Sequence, residues 1–307
     1  MFTRILVPLD GSPMSEAAVR AAEALARTFD SEISLLYVNE PNAPQRVHGQ
    51  HHLQTAAEAS RYLEQLAGAV SRRGVRISWH VHEPQERNVA EGIAAQVQEL
   101  APDLVVACSH GSSASARLFT GSIAQRVASS TSAPVFMVRP DWDPPESGLP
   151  CEGVLVPLDG QPDHEAGLAI ARDFAVHFSV PLRLLLIVPT YGTAAGRAAT
   201  ISRFLPGATM RMLELEAGSG EKYIVDKAKE LGESGLAVTW ELLRGNPSRE
   251  IIRTTKDHPR EIVVLATHGH EGFNAFWNGS VAHRICSFSR VPVLLVPVAQ
   301  PEYAADA

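Results

Sequence analysis

The chain repeats itself. Ile5-Leu6-Val7-Pro8-Leu9-Asp10-Gly11 returns as Val154-Leu155-Val156-Pro157-Leu158-Asp159-Gly160. Further on, Ser109-His110-Gly111, nine residues and Gly121-Ser122 return as Thr267-His268-Gly269, nine residues and Gly279-Ser280. The offset is 149 residues at the aspartates and 158 at the glycine loops, so each copy keeps its internal order over more than a hundred residues. Self-similarity on that scale means one structural unit built twice. Within a copy, short apolar runs alternate with segments of helical periodicity. In the first they fall at 4–9, 33–38, 75–81, 104–107 and 134–138, with helices starting near Ser12 or Ser15 and spanning 52–72, 89–100 and from Ser122. Such alternation demands crossover connections and therefore a parallel sheet covered on both faces. The second copy places strands at 154–158, 182–188, 238–243, 262–266 and 292–296, and helices at 221–231, from Ser248 and from Val281.

Residues 1–140 and 151–307 read as two domains. The connector 141–150, in a stretch carrying Pro140, Pro144, Pro145 and Pro150, has no apolar period. Residues 189–213 read as a flap over a sheet edge.

The organising stretch is the apolar run Ile262-Val263-Val264-Leu265-Ala266, its glycine loop and the helix beginning at Gly279-Ser280. A buried strand entering such a loop is suited to cradling phosphate, because glycine admits close backbone approach and a helix N-terminus offers unpaired N–H groups. The plain alternative is a turn whose glycines only satisfy backbone geometry. Asp10 and Asp159 read as turn caps, and Ser122 and Ser280 as phosphate contacts or N-caps. Two copies with identical spacing favour the ligand.

Other chemistries fare worse. A net charge of -7 argues against broad binding to nucleic acid or anionic membranes, and no apolar run approaches 18 residues. Cys108, Cys151 and Cys286 form no disulfide framework or zinc pattern, so a reduced, cytoplasmic chain is expected. His80 and His82 share a strand face but lack acidic or cysteine partners at ligand spacing, and no intrinsic metal site is expected. Ser109-His110 and Thr267-His268 lack a nucleophile elbow, and no catalytic residues are assigned.

Taken together, these residues resemble the universal stress protein family in its tandem form, over nearly all of residues 3–140 and 151–298. Gly111, Gly121 and Ser122, and again Gly269, Gly279 and Ser280, match the Gly-x-x-Gly, nine residues, Gly-Ser pattern of its nucleotide-binding members. The resemblance implies two doubly wound α/β domains, each a five-stranded parallel sheet flanked by helices. It implies ATP or a related adenine nucleotide, with magnesium, as ligand. Asp10 and Asp159 would contact the base or ribose, Val38 and Ile187 would meet the base along strand two, and the glycine loops would hold ribose and phosphates. Two departures bear on this. The pattern's first glycine is Cys108 in one copy and Ala266 in the other, and only the second copy keeps a glycine turn after strand three, at Gly245. The second site is therefore expected to be the stronger. Expected partners are the nucleotide, a second copy of the chain and a protein partner. A non-nucleotide interaction module is the alternative, with a slow nucleotide hydrolase ranked last.

Overall fold

The computed structural model describes residues 1–39, 46–47, 50–51, 53–83, 89–109, 133–145, 147–161, 165–193, 206–268 and 281–298. The first half comprises β1 (Arg4–Leu9), α1 (Glu16–Phe29), β2 (Glu32–Val38), a two-residue hairpin β3 (Arg46–Val47) and β4 (Gln50–His51), α2 (Ala56–Ser71), β5 (Ile77–His82), α3 (Val89–Leu100), β6 (Leu104–Cys108) and β7 (Val135–Val138). The second comprises β8 (Gly153–Leu158), α4 (Ala166–Phe178), β9 (Leu182–Val188), α5 (Pro206–Gly232), β10 (Val238–Arg244), α6 (Pro247–Lys256), β11 (Glu261–His268), α7 (Val281–Phe288) and β12 (Val293–Val298).

Local sequence explains where the helices begin and end. Thr55 and Glu58 cap α2 reciprocally, and the Asn246 side chain accepts the Arg249 N–H at the start of α6. α1 and α4 each close on a residue in left-handed conformation, Asp30 at φ 55° and Ser179 at φ 54°, the same position in the two copies.

Strands run in the order β10-β9-β8-β11-β12-β7-β6-β1-β2-β5 in one ten-stranded sheet. Within this sheet all ladders inside a half are parallel, and β12 pairs with β7 antiparallel, Val293 facing Met137, Leu294 facing Phe136 and Leu295 facing Val135. The pairing of the final strands removes two edges that would otherwise stand open. It also reverses strand direction at the junction, so the carboxyl ends of the two halves' strands lie on opposite edges of the sheet.

Because side chains alternate along a strand, each strand feeds two apolar layers. Val7, Leu35, Val106 and Phe136, with Val156, Leu184, Val264 and Leu294, pack in one layer that includes residues of α1, α2, α4 and α5. Leu6, Leu36, Val105 and Met137, with Leu155, Leu185, Val263 and Leu295, form the other, against α3, α6 and α7. Both layers cross the junction. Phe29 at the end of α1 meets Phe174 of α4 edge-on, with ring centroids 5.6 Å apart.

Two sequence expectations change. α5 starts at Pro206, so residues 206–213 are helix rather than flap; Thr209, Leu213 and Ala217, one buried residue per turn, supply its inner stripe. Residues 194–205 lie outside the described set. α2 begins at Ala56, where Thr55 caps it, rather than at His52. The proline-rich connector is docked: Arg20 donates to the Pro140 carbonyl at 3.3 Å, and Leu149 N–H donates to Thr28 Oγ1 at 3.2 Å.

Candidate functional site

Each half ends its first strand in the same turn. Asp10 Oδ1 accepts the Ser12 N–H at 2.9 Å, and Asp159 Oδ1 accepts the Gln161 N–H at 3.0 Å. Between them Gly11 and Gly160 sit at φ 77° and 82°, where a side chain is strained. The aspartates therefore do cap turns. The same bond fixes each carboxylate at the carboxyl end of β1 or β8. Those strands occupy the switch points, since the chain proceeds from β1 outward to β2 and β5 and then crosses back to β6 on β1's other side. Open α/β sheets bind ligands in the crevice at that point.

Val38 closes β2, buried, in register with His82; a Cβ built on Gly92 of α3 would stand 3.1 Å from both side chains. Ile187 holds the corresponding place in β9, and Gly245 N–H donates to the Val188 carbonyl at 3.1 Å. Gly245 has φ 158°, and a Cβ there would press on Glu250 at 3.0 Å, which explains the glycine turn after β10. Cys108 ends β6, buried beside Val138. Burial pushes its thiol up to about 12, with the Asp10 charge adding to the rise, so it stays protonated and is no nucleophile. Ser109 Oγ donates to the Val138 carbonyl at 3.2 Å and Thr267 Oγ1 to the Val296 carbonyl at 3.4 Å. Both hydroxyls thus tie neighbouring strands together.

One feature of the site escaped the sequence reading. Tyr62 of α2 donates to Glu16 at 3.3 Å, and Tyr223 of α5 donates to Glu165 at 2.8 Å. Burial raises both phenols. The charges of Glu16 and Asp10 add to the rise in one half, and those of Glu165 and Asp159 in the other, which sets each tyrosine near its turn aspartate. The recurrence of Glu and Tyr in both copies was the available signal. In the second half Lys227 also reaches Glu165, at 2.9 Å, where the same spacing puts Leu66 in the first.

A Cβ on Gly11 would meet Leu53 Cδ1 at 2.9 Å, whereas among the described residues nothing lies within 4 Å of the same position on Gly160. The structure thus brings Asp10 together with Cys108, and it sets Val38 and Ile187 at the ends of the neighbouring strands. Gly111, Gly121, Ser122, Gly269, Gly279 and Ser280 lie outside the described residues. Among the described residues no group of three metal-ligating side chains occurs, and no helix is long and apolar enough to cross a membrane.

Comparison with known proteins agrees with this architecture. A universal stress protein of Mycolicibacterium smegmatis is 26% identical over 308 residues, 95% of this chain and 96% of that protein. One from Mycobacterium tuberculosis is 26% identical over 248 residues, 79% of this chain and 78% of the relative. The crystal structure of a universal stress protein from Archaeoglobus fulgidus shares the fold, with a TM-score of 0.66 at 16% identity and 97% coverage of both chains. The model of the universal stress protein family matches residues 1–139 and again 152–297, so the chain belongs to that family and carries its unit twice.

Proposed function

We propose that the chain is a stress-response module that binds an adenine nucleotide at the carboxyl ends of its strands, with ATP and magnesium as the expected ligand. The duplicated turn carries the reading: an aspartate held by its own Asx bond, beside a glycine of positive φ, at the switch point of each half. In this reading Asp159 and Ile187 face the base and ribose, as do Asp10 and Val38 in the first half. Gly269, Gly279 and Ser280, with Gly111, Gly121 and Ser122, take the phosphates. Leu53 over Gly11, and Cys108 where the pattern has glycine, support a stronger second site. The units are 1–140 and 151–307, joined by 141–150, and the location is cytoplasmic. Action is through partner contacts rather than turnover, since the described hydroxyls at the site are engaged and the Cys108 thiol is protonated. Bound magnesium would offset phosphate charge.

The experiment is direct. Purified protein is denatured and its supernatant analysed for nucleotide, then the native protein is titrated with ATP and magnesium. Nucleotide recovered at up to two per chain, reduced in Gly279→Asp, is the expected outcome. Protein that carries none and ignores millimolar ATP would favour the interaction-module reading.

A further inference from the structure

We propose that β10, the outer strand of the second half, is the surface through which the chain pairs with a second copy of itself, antiparallel and centred on Trp240. The inference is independent of the nucleotide reading.

With β12 joined to β7, the sheet keeps two edges, β5 and β10. β10 runs in unbroken register with β9 from Val238 to Arg244. At its two ends Leu182 N–H donates to the Ala237 carbonyl at 2.9 Å, and Gly245 N–H to the Val188 carbonyl at 3.1 Å. Peptide groups alternate in direction along a strand, so Ala237, Thr239, Glu241, Leu243 and Gly245 turn theirs toward β9. Those of Val238, Trp240 and Leu242 point out of the edge, and among the described residues no strand takes them. Edges that stay single are blunted by proline, by a bulge or by several charges. β10 has neither proline nor bulge, and Glu241 is the only charge between Val238 and Leu243.

The side chains select this edge over the other. Trp240 is 42% exposed in the middle of β10, whereas its counterpart in β5, Trp79, packs against the core layer that α2 joins. Tyr223 and Lys227 of α5 both reach Glu165 beside α4. Val225, half a turn round the helix from them, therefore faces the other way, over the β10 side, and is 39% exposed. Apolar surface thus accompanies the open backbone.

They also select the register. With Trp240 opposite the partner's Trp240, Val238 lies opposite the partner's Leu242, and these pairs exchange their outward N–H and C=O groups. Thr239 then stands opposite the partner's Glu241 in the closer, non-hydrogen-bonded pairing, where its hydroxyl can donate to the carboxylate. Centring the pair on Glu241 would set two carboxylates face to face, and centring it on Leu242 would set Glu241 opposite Leu243. Centring it on Thr239 would leave only residues 238–240 of the strand paired. The occupant is a second copy because the strand is complementary to itself about a two-fold axis, which closes the assembly at two chains.

The test is the oligomeric state of the full chain. Sedimentation equilibrium across micromolar concentrations should show a reversible dimer. Trp240→Lys sets two ammonium groups opposite each other at the axis and should weaken the dimer about tenfold or more, with circular dichroism and urea unfolding of the chain unchanged. The double variant Thr239→Cys, Glu241→Cys should become disulfide-linked between chains on mild oxidation, and neither single variant should. A chain that is monomeric throughout, a dimer that ignores Trp240→Lys, or a double variant that does not cross-link would each overturn the inference.

Discussion

Leu294 of β12 lies opposite Phe136 of β7 across the antiparallel ladder, and both side chains are fully buried in the layer that α1 and α4 cover. The junction is therefore core, not a contact between finished surfaces. Phe136→Ala should cost about 3–5 kcal/mol, the range for emptying a buried aromatic site. Since both apolar layers cross the junction, probes in either half should report one shifted unfolding transition in denaturant. Two separate transitions, with only the first moved, would contradict a shared core.

Nucleotide should stabilise the protein and should do so mainly through the second half. At about 100 times the dissociation constant, one occupied site adds roughly 2.7 kcal/mol. Gly279→Asp should remove most of that gain and Gly121→Asp less, because an acidic side chain where the proposed phosphates bind repels them. Leu53→Ala, which clears the space beside Gly11, should raise nucleotide uptake in the Gly279→Asp background. Thermal shifts and nucleotide-per-chain counts would measure this, and the opposite ranking of the two glycine variants would reverse the assignment.

Glu23 gives a pH-dependent test. Burial works to raise its carboxyl, but hydrogen bonds from Arg73 and Arg27, with their charges, outweigh it and hold the group below the ordinary value of 4.5. A carboxyl depressed on folding contributes stability above its unfolded value, and that stability is lost as pH falls through the folded one. Glu23→Gln should therefore flatten the loss of stability between about pH 5 and pH 2, while costing about 1.5–3 kcal/mol at neutral pH. Denaturant titrations at several pH values would show it. Parallel wild-type and variant curves would mean the pair carries no linkage.

Glu261, only 4% exposed, pairs at 2.6 Å with the half-buried Arg183. Removing one partner strands a buried charge, so Arg183→Met should destabilise by about 3–5 kcal/mol. The double variant Arg183→Met, Glu261→Leu should recover much of that loss. A double-mutant cycle with no coupling would show that each side chain acts alone.

All three thiols should be inert in the folded protein. Burial pushes Cys108, Cys151 and Cys286 each up to about 12, leaving almost no thiolate at pH 8. Alkylation followed by intact mass should be slow until denaturant is added. Rapid labelling of Cys108 in the native state would place it in a more open, cationic setting than this one.

The amino-acid sequence by itself determined the repeat, the strand and helix alternation, and the turns at Asp10-Gly11 and Asp159-Gly160. These follow from short-range chemistry: apolar period, positive-φ glycine and the Asx bond of an aspartate to the N–H two residues on. It also pointed to Cys108 and Ala266 as departures, because those are substitutions within a fixed spacing. The start of α5 was harder to read, since Gly207 and Ala208 mask a stripe of one buried residue per turn.

Only the tertiary structure decided that β12 meets β7 antiparallel, which turns the two candidate sites to opposite edges. It alone set Leu53 over Gly11 and joined Tyr62 to Glu16 and Tyr223 to Glu165. Such pairs lie from 42 to more than 150 residues apart, at no spacing that local geometry prescribes. Their meeting follows from which register and packing bury the most apolar surface, and that choice is made by the whole chain at once.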